Sequence, residues 1–235
     1  MDPVSGQTCD ICGERLAGFQ HKAAEPCAAC RETPPAFSKA TAFGSYDAGL
    51  RELIHLLKYD QVLPAARVLG HMLAEAINKL GKLEIPEALF ASGPSLVIPV
   101  PLYRSKRRQR GFNQAELIAR AALKKLAAPN FELATNVLER VRATKSQIGL
   151  TRPQRTLNIR GAFRVAHLNR VVERSVLLVD DVLTTGTTAS ECARVLRKAG
   201  AKQVLVATVA RTLKHSHSDG NFGIEPEFDT ASSAS

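Results

Sequence analysis

Residues Val176 to Thr188, VLLVDDVLTTGTT, put two adjacent carboxylates, Asp180 and Asp181, after four apolar residues. One glycine among four threonines then follows. An apolar run of this length reads as a buried strand, and ligands of open α/β sheets bind at the carboxyl ends of strands. Thr184, Thr185, Gly186, Thr187 and Thr188 lead into a helix. Its first amides and dipole make an anion site to which the hydroxyls add donors. Gly186 permits a tight turn and a close backbone approach. Neighbouring carboxylates repel unless a cation or hydroxyl groups compensate them. A plain strand-to-helix junction therefore accounts for the acids poorly.

A second candidate element lies upstream, in PVPLYRSKRRQRGFNQAELIA. Pro99 and Pro101 bracket a turn at the end of another short apolar strand. Arg104, Lys106, Arg107, Arg108 and Arg110 follow it. Guanidinium groups pair with phosphate oxygens in bidentate fashion, which favours Arg104 and Arg110 as ligand contacts. A solvated basic face or a patch for a nucleic-acid backbone fits the same charges. The string from Arg110 to Gln114 is too particular for a generic surface. A third segment, Arg140 to Phe163, is cationic and weakly periodic. A stretch this long without periodicity reads as a lid over an anionic ligand or as a mobile surface loop.

Cys9 and Cys12 form one Cys-x-x-Cys pair, and Cys27 and Cys30 form another. The spacing suits a four-thiolate Zn²⁺ site, closed to substrate and hence structural; redox dithiols are the alternative. His21 is a substitute ligand that four cysteines make unnecessary. Cys192 falls on the inward face of a helix and reads as core.

The elements that must position these groups follow from periodicity. Thr41 to Tyr46 suits a short strand. Leu50, Leu53, Ile54 and Leu57, then Leu69, Met72, Leu73, Ala76 and Ile77, keep the spacing of buried helix faces. Leu96 to Val100, Val176 to Val179 and Val204 to Val209 read as buried strands. Asn113 to Lys125 and Thr188 to Ala199 read as helices, the first opened by Asn113 and Glu116 in a capping-box pattern, the second closed by Gly200. Strands alternating with helices imply an α/β fold with a parallel sheet.

With 235 residues, the chain suits one α/β domain plus a small appendage. The expected division is a cysteine module over 1–36, the α/β domain over 37–213 and a polar tail over 214–235. A formal charge of +10 favours anionic partners, and aromatic residues at 5% leave an aliphatic core. The absence of a long apolar stretch or a basic-then-apolar leader predicts a cytoplasmic protein without membrane insertion.

The run from Val176 to Thr188 resembles the ribose-phosphate signature of type I phosphoribosyltransferases. The resemblance implies that Asp180 and Asp181 hold the ribose 2- and 3-hydroxyls and help order Mg²⁺, and that Thr184 to Thr188 cradle the 5-phosphate. It also implies a diphosphate loop at Val100, Pro101 and Leu102, with Arg104 stabilising the leaving charge. RGFNQAE, LIHLLKYD (Leu53 to Asp60), the spaced Thr144, Gln147, Leu150, Arg155, Asn158, Gly161 and Phe163, and the acid run together are similar to the ComF/GntX family. That family pairs an amino-terminal zinc ribbon with a phosphoribosyltransferase-like domain.

Three functions follow from the likeness. One is transfer of phosphoribose from 5-phosphoribosyl 1-diphosphate to an unidentified acceptor. Another is an accessory role in DNA uptake and natural transformation, with single-stranded DNA and competence proteins such as a ComF-operon helicase as partners. The last is sensing of phosphoribosyl diphosphate without chemistry.

Overall fold

A computed structural model describes residues 8–16, 25–82, 94–127, 129–144 and 149–213. The expected tail and His21 lie outside them. A short helix, α1 (Ala28–Glu32), follows the first cysteine pair. Then come strand β1 (Lys39–Ser45) and helices α2 (Ala48–Lys58) and α3 (Ala65–Lys82). The α/β part continues through β2 (Ser95–Pro99), α4 (Arg104–Arg110), α5 (Gln114–Leu126), β3 (Phe131–Leu133) and β4 (Leu138–Arg140). It closes with α6 (Arg152–Ile159), β5 (Phe163–Val165), β6 (Ser175–Leu183), α7 (Thr187–Lys198) and β7 (Gln203–Arg211).

Five strands form one sheet in the order β1-β7-β6-β2-β3, every pairing parallel, as the alternation of strands and helices implied. Parallel strands buried on both faces must be apolar at consecutive positions, and the alternation of those residues sorts the core into two layers. Leu96, Ile98, Val176, Leu178, Val204 and Val206 pack with α7 and the cysteine segment. Val97, Leu177, Val179, Leu205 and Ala207 pack with α2, α3 and α5. Small residues let α3 and α5 close on each other: a Cβ placed on Gly70 would stand 2.4 Å from that of Ala121.

Three differences from the sequence reading matter for the site. First, β6 runs on through both acids to Leu183, because β7 is long enough to pair with it as far as Arg211. Aspartate is a poor strand former, so propensity ended the strand too early. Second, the basic run is a helix, α4, with no buried residue, closed by Gly111 in the left-handed region at φ 76°. Third, the described part of the expected lid is folded. β4 and β5 pair antiparallel. Between them, Thr151 and Gln154 cap α6 reciprocally.

Candidate functional site

The site forms where β2 stops and β6 continues. Pro99 is the last residue of β2 paired with β6, opposite Val179. The amide of Val100 still donates to the Val179 carbonyl at 2.8 Å, and the chain then turns away. Asp180 and Asp181 are left flanked on the β7 side only, beside a cavity of ≈160 Å³. Val100, Pro101 and Leu102 form one wall. Asp180, Asp181 and Thr188 form the floor, and Lys58, Arg110, Asn113, Gln114, Ala115 and Arg140 close the rest. A larger cavity, ≈400 Å³, lies between α3 and α5 around His71, Glu75 and Lys125, and holds none of the expected ligand residues.

Strand periodicity separates the two acids. Asp181 shares the parity of Leu177 and Val179 and so belongs to the α2 face. There the Nζ of Lys58, the last residue of α2, stands 2.6 Å from its Oδ2. Asp180 shares the parity of Val176 and Leu178 and so belongs to the α7 face. Burial raises the carboxyl of Asp180 well above its ordinary range, and the charge of Asp181 adds to the effect. Burial would raise Asp181 too, but the Lys58 ammonium overcomes it and holds that carboxyl below the ordinary range. The two neighbouring carboxyls are therefore pushed in opposite directions.

Backbone geometry prepares the neighbouring turn. Gly186 adopts φ 75° as the residue before α7, and the Thr185 and Thr187 hydroxyls lie 2.8 Å apart. The amino end of α7 follows this turn, and Thr188 there lines the cavity together with the acid pair. Phe37 backs the turn, its ring 3.7 Å from where a Cβ on Gly186 would stand. Opposite, Asn113 locks the β2 loop to α5: its amide donates to the Val100 carbonyl at 3.0 Å, and its Oδ1 accepts from the Ala115 amide at 3.1 Å.

Among the expected ligand residues, the cavity gathers Val100, Pro101, Leu102, Arg110, Asp180, Asp181 and Thr188. Thr184, Thr185, Gly186 and Thr187 make the adjoining turn. Arg104 opens α4, exposed and outside the cavity lining. Arg110 stacks over the Tyr59 ring at 5.4 Å. Of the lid cations, Arg140 reaches the cavity. Arg142 is spent on the carbonyls of Asn158 and Arg160, and Arg155 on that of Leu150. Lys145 and the side chain of Arg152 fall outside the described residues. Lys58 and Gln114 were missed as site residues. LIHLLKYD and RGFNQAE contained them, but nothing in the spacing aimed either side chain at the acids.

The cysteines also converge. Thr8 and Arg15 bridge a small hairpin around the first pair, where Gly13 turns at φ 69°. Cys27 caps α1, which carries Cys30. All four ligand atoms lie within 4.8 Å of one another, and Cys12 Sγ and Cys27 Sγ are 3.7 Å apart. Thiolates bound to zinc at about 2.3 Å in a tetrahedron stand about 3.8 Å apart, so the arrangement fits. The amides of Cys12 and Cys27 donate to the Cys9 sulfur at 3.4 and 3.2 Å. Burial opposes ionisation of Cys9, but these donors outweigh it and bring the thiol down to about 7. Burial pushes Cys12 up to about 11 despite the nearby Arg211. So crowded a donor set needs a cation to ionise together, and it could hold a metal such as zinc. Cys192 is fully buried, as expected of a core residue, and burial raises its thiol.

Among the described residues no helix is long and apolar enough to cross a membrane. Residues 113–221 match the phosphoribosyl transferase domain. Competence protein F of Haemophilus influenzae is 34% identical over 207 residues, covering 86% of this chain and 84% of that protein. The DNA utilization protein YhgH of Escherichia coli K12 is 32% identical over 191 residues, covering 80% of this chain and 78% of that protein. Among solved structures, a Bacillus subtilis glutamine phosphoribosylpyrophosphate amidotransferase is 23% identical with a TM-score of 0.35. The match covers 60% of this chain and 25% of that one. With a parallel phosphoribosyltransferase-type sheet, four converging cysteines and relatives matched over most of its length, the chain belongs to the ComF family of competence proteins.

Proposed function

We propose that the chain binds 5-phosphoribosyl 1-diphosphate with Mg²⁺ in the cavity between the β2 loop and the end of β6. The observation that carries this reading is the meeting of Asp180, Asp181 and Thr188 with Val100, Pro101 and Leu102 around one small cavity. The acids address the ribose hydroxyls, and the turn from Thr184 to Thr188 takes the 5-phosphate. Arg110 lines the cavity with Val100, Pro101 and Leu102, whereas Arg104 does not. Asp181 already has an ammonium partner, so the acid pair is not by itself a cation cage. Mg²⁺ would be held here largely through the substrate's phosphates, with Asp180 and Asp181 nearby, and would neutralise part of their charge. If phosphoribose is transferred, the ribose C1–O bond to diphosphate breaks as a nucleophile bonds to C1, and cations around the cavity take the leaving charge. The Cys9, Cys12, Cys27 and Cys30 cluster holds a structural Zn²⁺ within a module over 1–36.

Titration calorimetry with phosphoribosyl diphosphate and Mg²⁺ tests the reading. Binding is expected, weakened at least about tenfold by Asp181→Asn, since a charge-assisted hydrogen bond contributes roughly 1.5–3 kcal/mol. Equal binding by both proteins overturns the site assignment.

A second reading, binding of single-stranded DNA, is favoured by α4, whose Arg104, Lys106, Arg107 and Arg108 are all exposed. The names of the relatives, a competence protein and a DNA utilization protein, agree with it. Oligonucleotide affinity should then fall steeply with salt. Replacing Arg107 and Arg108 by alanine should flatten the log–log slope by roughly 0.7 for each phosphate no longer neutralised. An unchanged slope removes α4 from any DNA surface.

A further inference from the structure

Arg211 ends β7 opposite Leu183 of β6 and Ser45 of β1, and it is 4% exposed. Its side chain reaches the cysteine module, 199 residues away along the chain from Cys12. One terminal nitrogen, Nη2, donates to Glu14 Oε2 at 3.0 Å and to Cys12 Sγ at 3.4 Å. Nε and Nη1 are buried and have no hydrogen-bond partner among the described residues. A guanidinium cannot shed its proton, so burial leaves Arg211 a cation with donors unused. Glu14, itself buried, answers part of that demand. Without further negative charge nearby, an apolar side chain of similar volume would cost less at this position. The cysteine cluster is where such charge can gather. Four thiolates around a divalent cation leave a net charge of about −2, and their sulfurs accept N–H donors. Another tie between module and sheet, Lys39 to Asp10 at 2.9 Å, ends on an exposed carboxylate and contributes little.

We propose that Arg211 is an outer-sphere partner of the metal centre, a positioning residue that holds a ligand rather than the metal. Its guanidinium donates to the Cys12 sulfur and offsets part of the charge of the thiolate cluster. It thereby fastens the first Cys-x-x-Cys pair to the end of the last strand. The inference rests on the reading of the cysteine cluster as a zinc site. It goes beyond that reading by joining the site to the parallel sheet. Filling the cluster then tightens the end of β7, where Arg211 pairs with Leu183 just past the acid pair.

The test titrates Zn²⁺ and Co²⁺ against a competing chelator into the metal-stripped full chain, unaltered and as Arg211→Met, Arg211→Lys and Glu14→Gln. Arg211→Met should lower affinity for both metals at least about tenfold, as loss of an outer-shell partner typically does. Arg211→Lys keeps the charge but not the planar fork, so its affinity should fall between the two. Glu14→Gln removes the ion pair and leaves the donor to sulfur, so its affinity should stay within about threefold of the unaltered chain. Co²⁺ supplies a readout that packing alone does not move. Losing an N–H donor makes the Cys12 sulfur a better electron donor, so the sulfur-to-cobalt charge-transfer band of Arg211→Met should shift to longer wavelength. Metal should also slow hydrogen exchange at the end of β7 in the unaltered chain and not in Arg211→Met. An unchanged affinity or an unmoved band in Arg211→Met overturns the proposal. So does an equal loss in Glu14→Gln, which would reduce Arg211 to an ordinary ion-pair partner. Should Arg211→Met fail to fold, Arg211→Lys against Glu14→Gln decides on the same readouts. If the unaltered chain binds neither metal, the zinc reading itself falls.

Discussion

The cysteine cluster and the acid pair both gather like ionisable groups away from water, and the chain relieves the two in different ways. At the cysteines, four sulfurs within 4.8 Å of one another share a geometry suited to a metal that comes from outside the chain. At the acids, relief is internal. One carboxyl takes an ammonium from α2 at 2.6 Å, and the other is pushed by burial towards its neutral form. A metal is held or lost as a whole, whereas an ion pair between two side chains can be rearranged by a ligand. The first arrangement suits a clamp and the second a binding site.

The largest expected effect breaks the comparison at the clamp. Cys30→Ser should lower metal content from about one per chain to a small fraction of that, by the four-thiolate rule. It should lower the melting temperature by at least about 10 °C, since structural zinc sites contribute folding free energy outright. Elemental analysis and calorimetry check both. A metal-free variant that melts normally would make the cluster ornamental.

A smaller effect should separate the two acids, which have opposite signs. Asp181 has its carboxyl held low, so its contribution to stability is complete above the ordinary carboxylate range. It is lost as pH falls through the lowered value. Asp180 is raised, so its contribution is complete below that range and is lost as pH climbs through the raised value. At pH 7.5, taken as roughly neutral, Asp181→Asn should destabilise by on the order of 3 kcal/mol by stranding the Lys58 charge. Asp180→Asn should be neutral or stabilising, and increasingly so towards alkaline pH. Thermal melts across pH read both, and the same sign for the two variants would refute the opposite shifts of the pair.

The smallest effect sharpens the picture at the turn. Gly186→Ala places a Cβ at φ 75°, a strain of about 1–2 kcal/mol, while Phe37 at 3.7 Å leaves the added methyl room. Stability should drop by about that amount, and ribose 5-phosphate affinity should drop with it. Unchanged affinity would detach the turn from the ligand.

How much of this was legible in the chain depends on distance along it. The cysteine pairs, the acid pair, the threonine turn and the proline-bracketed loop are local patterns, and each could be read from neighbours. The parallel sheet followed from apolar runs alternating with helices. Lys58 could not be read as the partner of Asp181, because that pairing exists only after α2 packs beside β6. Beside the apolar stripe of Leu53, Ile54 and Leu57, a lysine at a helix carboxyl end reads as an ordinary dipole partner. Gln114 escaped for a similar reason: a glutamine in the first helical turn carries no sign that its amide will be buried unmatched. The segment from Arg140 to Phe163 read as a lid or a mobile surface loop, and its charges gave no sign of the well-capped helix within it.

The place of β1 at the sheet edge has a consequence for biosynthesis. Its one sheet neighbour among the described residues is β7, with Lys39 opposite Leu205 and Ser45 opposite Arg211. As the polypeptide leaves the ribosome, the earliest strand waits for the latest before its amides and carbonyls find partners. Until then an unprotected edge is open to any other extended chain. A nascent fragment stopped short of Gln203 therefore leaves both β1 and β6 without the strand that joins them, and translation must run nearly to Arg211 before the sheet can close.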